Sequence, residues 1–300
     1  MLKIAHHPIY THPLPKGHRF PMEKYELVPK QLLYEGTCIR ENFFVPEAAS
    51  RESILAVHHP TYLESLENRT LDRKSVMALG LPLSTPLVNR EKILVGGTIR
   101  AAEYALEHKI AMNIAGGTHH AYTDKGEGFC LLNDQAIAAR HLQRVKGVER
   151  ILIIDLDVHQ GDGSAQIFKD DPSVYTFSMH GENNFPFIKQ RSDLDIPLPD
   201  GTGDEDYLSN LRLHLPGIFQ EVDPQFVFYQ CGVDILSTDK LGKLSCSLEG
   251  CKERDRLVLQ SCHDLKIPVQ CSMGGGYSVD LKTIVEAHAN TFRLAQDIFF

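Results

Sequence analysis

Three ionisable side chains stand two residues apart in the stretch ILIIDLDVHQGD (151–162): Asp155, Asp157 and His159. An extended strand repeats its side-chain direction every second residue, so all three can face one side. Burying them on an apolar strand is costly unless they are paired or hold a metal. Asp-x-His offers one oxygen and one nitrogen ligand, and Asp234 can supply a third. Three protein ligands and an open position for water make a catalytic zinc site. The plainer reading of the same residues is a hydrogen-bonded turn at a strand end.

Two carboxylates and a neutral imidazole cancel the charge of Zn²⁺, so a water there is acidified less than at a site of three neutral histidines. A neighbouring general base then becomes useful. The adjacent pair His119-His120, in a glycine-flanked loop, offers one, with Asp155 and Asp162 as carboxylates to orient it. Tyr277 follows Gly274-Gly275-Gly276. Neither Gly-Lys-Ser/Thr nor G-x-G-x-x-G is present, which excludes the usual phosphate and dinucleotide cradles. The glycines read as flexible backbone presenting a phenol that can donate to a developing oxyanion. Alone, that tyrosine would read as a packing residue.

These residues need elements to position them. Short apolar runs occur at Lys3–Ala5, Ile110–Ala115, Ile151–Leu156, Val174–Met179, Phe226–Cys231 and Pro268–Met273. Helix-like stretches lie at Thr98–His108 (starting after Gly96-Gly97), Asn133–Arg144, Leu248–Leu265 and Ile284–Ile298. Strands alternating with helices predict an α/β fold with a parallel sheet covered on both faces. Four of the runs end in Gly116–His120, Asp157–Gly163, Gly232–Asp234 and Gly274–Tyr277. Ligands of open parallel sheets bind beyond the carboxyl ends of the strands, so parallel neighbours would bring all four endings to one edge. No linker divides residues 1–300, and a single domain is expected.

The chain has 300 residues, 42% hydrophobic, and a formal net charge of −8 with no long basic run. That balance disfavours nucleic acid, which is held by neutralising phosphates, and suits a cationic substrate better. Seven cysteines without a Cys-x-x-Cys pair read as reduced thiols of a cytoplasmic protein. Neither a signal peptide nor an 18-residue apolar span is visible, so no membrane insertion is expected.

The motifs GGTHHA (116–121), GFCLLND (128–134), IIDLDVHQGDG (153–163), QCGVD (230–234) and GGGYS (274–278) resemble, in order and spacing, those of the histone deacetylase superfamily. The segment HPLPKGHRFPMEKY (12–25) is similar to its class IV-like and bacterial members. The resemblance covers nearly the whole chain. It implies the arginase/deacetylase fold, a single domain around a parallel sheet of about eight strands. It implies zinc, with Fe²⁺ as the other candidate, held by Asp157, His159 and Asp234. His119 and His120 become tandem catalytic histidines with Asp155 and Asp162 as their carboxylate partners, and Tyr277 polarises the carbonyl. Gly128, Phe129, Phe185 and Gly275 would line an acyl-lysine tunnel, and Arg19 matches the arginine at its foot. A structural potassium or sodium ion would use Asp155 and backbone carbonyls around Asp157, His159, Ser178 and Met179. The implied reaction is hydrolysis of an acylated lysine, and the class IV-like segment implies rates that rise with acyl-chain length.

Two features depart from the family pattern. Gln160 stands where many members have a second histidine. Leu81–Pro86 lacks the rim acid that holds a peptide backbone in class I enzymes, which argues against histone tails. Two other readings share the fold. A binuclear manganese ureohydrolase would be short of ligands for its second ion. An acetylpolyamine or acetoin-utilisation type of deacylase would take an acylated small amine, and fold alone does not separate it. The oligomeric state is not legible.

Overall fold

The computed structural model describes residues 1–300. Eight strands form one sheet: β1 (Lys3–Ala5), β2 (Phe43–Phe44), β3 (Ile110–Asn113), β4 (Ile151–Asp155), β5 (Val174–Gly181), β6 (Leu194–Leu198), β7 (Phe226–Gln230) and β8 (Val269–Ser272). Their order is β2-β1-β3-β8-β7-β4-β5-β6, and every pairing is parallel. The expected α/β class, with one parallel sheet flanked by helices, is what the chain adopts. Each residue of β3, β4, β7 and β8 is buried. That is why these strands read as unbroken apolar runs rather than alternating ones.

The six strands seen in the sequence are all present. The two that escaped it are the sheet edges. β2 has only two residues, too few for any periodicity. β6, LDIPL, carries Pro197, which reads against a strand. At an edge the missing N–H can face away from the ladder, so the proline is tolerated.

One helix boundary differs from expectation. The helix predicted to begin after Gly96-Gly97 starts at Thr85 and runs to His108, passing through both glycines. Ser84 caps it by accepting the Leu87 amide, and Pro86 sits in its first turn. The glycines serve close packing. A Cβ on Gly96 would lie 1.9 Å from the Glu47 carbonyl oxygen, and one on Gly97 2.4 Å from the Tyr10 hydroxyl. Asn133 caps the helix Asp134–His141 through the Ala136 amide, and Ser247 caps Leu248–Asp264 through the Gly250 amide. The chain closes with Leu281–Phe299.

β3, β8, β7 and β4 are consecutive in the middle of the sheet. Their carboxyl ends therefore deliver the four loaded loops to one place, as the motif positions require. All seven cysteines are buried free thiols. No helix is long and apolar enough to cross a membrane.

Candidate active site

β4 stops at Asp155, and the chain bends through Asp157–His159. The expected single face of Asp155, Asp157 and His159 is therefore not what forms. Asp155 turns to His119, with Oδ2 2.6 Å from Nδ1. Asp157 and His159, released from the pleat, converge with Asp234 from the loop after β7. His159 Nδ1 lies 3.0 Å from Asp157 Oδ1 and 3.2 Å from Asp234 Oδ2. One ligand atom from each of the three lies within 4.8 Å of the others, and all three residues are buried.

These three groups fit a divalent cation. Asp234 Oδ2 is buried without a hydrogen-bond partner, and such an atom is expensive unless something positive meets it. Burial and the neighbouring Asp157 push the Asp234 carboxyl up to about 7. Burial alone would keep His159 neutral, but the hydrogen bond to Asp157 and the close Asp234 carboxylate outweigh it and draw the ring up to about 10. Both shifts express one demand for positive charge. The remaining oxygens are already oriented: Asp234 Oδ1 accepts the Val158 amide at 2.9 Å, and Asp157 Oδ2 accepts the Gly275 amide at 2.8 Å.

The tandem histidines stand beside this cluster. His120 Nδ1 lies 2.5 Å from Asp162 Oδ1, and Asp162 Oδ2 accepts the Tyr122 hydroxyl at 2.8 Å. Each histidine thus has its own carboxylate on Nδ1, leaving Nε2 free. Their environments differ. Burial resists charge on His119, but Asp155 and Asp157 prevail and raise it to about 9. Burial and the adjacent His119 hold His120 down at about 4 despite Asp162.

The loop that carries the pair is pinned from below. Asp134 Oδ1 accepts the Gly117 and Thr118 amides at 2.9 and 2.8 Å, and Gln230 Nε2 donates to the Gly117 carbonyl at 2.9 Å. Arg254, fully buried, donates to the carbonyls of Leu156 and Gly232 beneath the β4 and β7 loops. Gln230 opens the QCGVD motif but its role is not legible there, and Arg254 has no local signature, because each acts on backbone far away in sequence.

The Gly274–Gly276 segment is not a flexible hinge. A Cβ on Gly275 would sit 1.9 Å from Asp234 Oδ2, so the glycine is there for close approach. Gly274 and Gly276 have φ of 67° and 147°, which side-chain-bearing residues rarely adopt. The segment is tied on both sides: Lys24 Nζ donates to the Gly274 carbonyl at 3.0 Å, and the Tyr277 amide donates to Asp239 Oδ2 at 2.6 Å. Burial, with Asp234 and Asp157 nearby, keeps the Tyr277 phenol protonated, well above its ordinary range.

These groups open on one cavity of about 410 Å³. Gly128, Phe129, Phe185 and Gly275 line it, together with both tandem histidines, Asp157, His159 and Tyr277. The Phe185 ring stands edge-on to His120 at 5.0 Å, and Phe129 lies 5.9 Å from Tyr277. A Cβ on Gly128 would lie 2.7 Å from the His120 ring. Arg19 lines the cavity too, but not at its foot. Its side chain is exposed and rests over Phe129 at 5.0 Å, because the segment carrying it runs along the surface. The buried cation among the lining residues is Arg90, which sequence reasoning missed; Tyr25 and Leu94, equally buried, line the cavity with it, and their burial marks this as its inner end. Of the expected monovalent-ion residues, Asp155 pairs in register with Ser178, and Met179 follows on β5. Ser178 Oγ lies 2.9 Å from His180 Nδ1.

Comparisons with known proteins identify the family. A model of the histone deacetylase domain matches residues 18–292. An uncharacterized protein of Picosynechococcus is 47% identical over 99% of both chains. Histone deacetylase 2 of Arabidopsis thaliana is 32% identical over 87% of this chain and 70% of its own length. A probable deacetylase of Archaeoglobus fulgidus is 30% identical over 92% of this chain and 81% of its own. A crystal structure of a histone deacetylase homolog complexed with SAHA superposes with a TM-score of 0.84 at 26% identity, over 98% of this chain and 83% of that one. With the domain match spanning residues 18–292 and the fold shared over 98% of its length, this chain belongs to the histone deacetylase family of hydrolases.

Proposed function

We propose that the chain is a metal-dependent deacylase that hydrolyses the amide of an acylated lysine. The observation that carries this reading is the meeting, around one cavity, of the Asp157–His159–Asp234 cluster, two carboxylate-anchored imidazoles and a protonated phenol. Asp157, His159 and Asp234 would hold zinc, or Fe²⁺ in its place. When bound, such an ion supplies Lewis acidity to the carbonyl and a more acidic water. The chain's own groups do the rest. His120, held neutral and fixed by Asp162, accepts the proton of the attacking water at Nε2. The Tyr277 hydroxyl donates to the carbonyl oxygen as negative charge gathers there. His119, drawn towards the charged form by Asp155 and Asp157, adds electrostatic stabilisation, and His120 returns its proton to the leaving amine. Phe129 and Phe185 wall the lysine stem and exclude water. Asp155, with the carbonyls of Asp157, His159, Ser178 and Met179, would hold potassium or sodium and stiffen the strand ends.

The test is a peptide carrying one acetyl-lysine, incubated with protein loaded with Zn²⁺ or Fe²⁺ and followed by mass spectrometry. Loss of the acetyl group, abolished by chelation and restored by metal, is the expected result. A folded, metal-loaded protein that cleaves no acyl-lysine would sink the reading.

A further inference from the structure

The inner end of the cavity carries an arginine whose hydrogen bonding is incomplete. Arg90 is 3% exposed and lines the cavity with Tyr25 and Leu94. Its Nε donates to the Tyr10 carbonyl at 2.9 Å, and its Nη1 pairs with Glu91. Its Cζ lies 5.2 Å from the centre of the Tyr25 ring. Nη2 is buried and has no partner. A buried donor left unpaired is costly, and more so when it belongs to a charged group. Because Glu91 neutralises the pair as a whole, this end of the cavity offers a directed donor more than a net charge.

We propose that Arg90 Nη2 forms a subsite for an oxygen acceptor at the far end of the acyl group. The preferred acyl chains would then carry a hydroxyl or carboxylate oxygen beyond the amide carbonyl, and a plain hydrocarbon chain of the same length would leave the donor unsatisfied. This rests on the deacylase reading above and narrows its substrate class. It also departs from the sequence-based expectation that rates rise with acyl-chain length alone. A site built to hydrogen-bond an oxygen rejects the analogue lacking it far more strongly than an apolar pocket rejects an extra methylene.

The experiment uses one peptide with its lysine butyrylated, 3-hydroxybutyrylated or succinylated. The hydroxybutyryl arm reads a neutral acceptor and the succinyl arm an anionic one. At least one of them should exceed butyryl in kcat/KM by about 10-fold or more. Replacing Arg90 alone would strand Glu91, so the variant is Arg90→Met combined with Glu91→Met, an apolar exchange of a buried pair of the kind proteins tolerate. In it the preference should vanish or reverse in favour of butyryl, with metal content unchanged. In parallel, ligand-detected NMR measures binding of the N-methylamides of the same three acids, which needs no turnover. If the oxygen-bearing amides bind no better than the butyric one, the subsite is refuted. If they bind better, and lose that advantage in the double variant, while no peptide is cleaved, the subsite stands and the deacylase reading falls.

Discussion

The Tyr277 amide donates to Asp239 Oδ2 at 2.6 Å, while the other oxygen of that carboxylate accepts the Leu241 and Gly242 amides at 2.8 and 2.9 Å. Asp239 therefore joins the loop after β7 to the glycine segment and sets where the phenol stands. A bridge between Asp239 and Ser278, and a 2.8 Å contact between the Thr238 and Ser278 hydroxyls, extend the same join. Asp239→Asn keeps the shape but turns an amide N–H₂ towards one of the backbone donors. Losing one such bond is worth about 1–3 kcal/mol, so kcat should fall on the order of 10- to 100-fold. KM and metal content should change little. A variant with unchanged kcat would show that Tyr277 is positioned without Asp239.

Tyr277→Phe removes only the hydroxyl. The ring keeps its contacts with Phe20 and Phe129, so folding should survive. Turnover should drop on the order of 10²-fold or more, as for loss of one oxyanion donor. Near-normal turnover in the folded variant would take Tyr277 out of the mechanism.

His120→Ala separates base from ligand. His120 Nδ1 is committed to Asp162, and the residue is not one of the three clustered metal-site groups. Activity should be abolished while bound metal, read by elemental analysis, stays at the wild-type level. A parallel fall in metal content would mean that the ligand assignment is wrong.

The metal itself gives a stoichiometric prediction. Asp157, His159 and Asp234 form one cluster, so one transition-metal ion per chain is expected, active as zinc or Fe²⁺. Asp234→Asn should weaken metal retention, because it removes the charge of the carboxylate whose Oδ2 makes no hydrogen bond within the protein. Two tightly held ions in the wild-type protein would point instead to the binuclear ureohydrolases.

Acid stability should depend on His58. Its Nε2 accepts the Asn133 amide at 3.0 Å, so Nδ1 carries the proton and donates to the Tyr122 carbonyl at 2.9 Å. It thereby ties the two ends of the Tyr122–Asn133 loop, which begins two residues after His120 and carries Gly128 and Phe129. Burial pushes its pKa down to about 4. A depressed base is bound neutral by the fold, so its stabilisation is present above the unfolded value near 6.5 and is lost as pH falls from there towards 4, a change of about 3 kcal/mol. His58→Gln should lower Tm at pH 7.5 and shrink the further drop between pH 7.5 and 5. An unaltered drop would assign the acid sensitivity elsewhere.

Much of this site was legible along the chain. Asp157, His159, His119, His120, Asp162 and Tyr277 each belong to a run short enough for spacing to show. The apolar strands before them announced themselves because both faces of β3, β4, β7 and β8 are buried. Strands alternating with helices implied a parallel sheet, while the fold decided that β3, β8, β7 and β4 are neighbours in it. What the sequence could not determine depends on partners distant in the chain. Asp155 meets His119, as the resemblance implies, but it does not share a face with Asp157 and His159, because β4 ends there and the next residues leave the pleat. The glycines before Tyr277 were read as flexible, yet the approach of Asp234 makes them tight. Arg19 was placed at the tunnel foot by its motif, but its segment lies on the surface. The inner end belongs to Arg90, in the first turns of a helix that the sequence reading begins only after Gly97. Spacing reports what backbone geometry imposes within a few residues. The choice among buried charges is made by which oxygens and nitrogens meet when the elements pack, and only tertiary structure decides that.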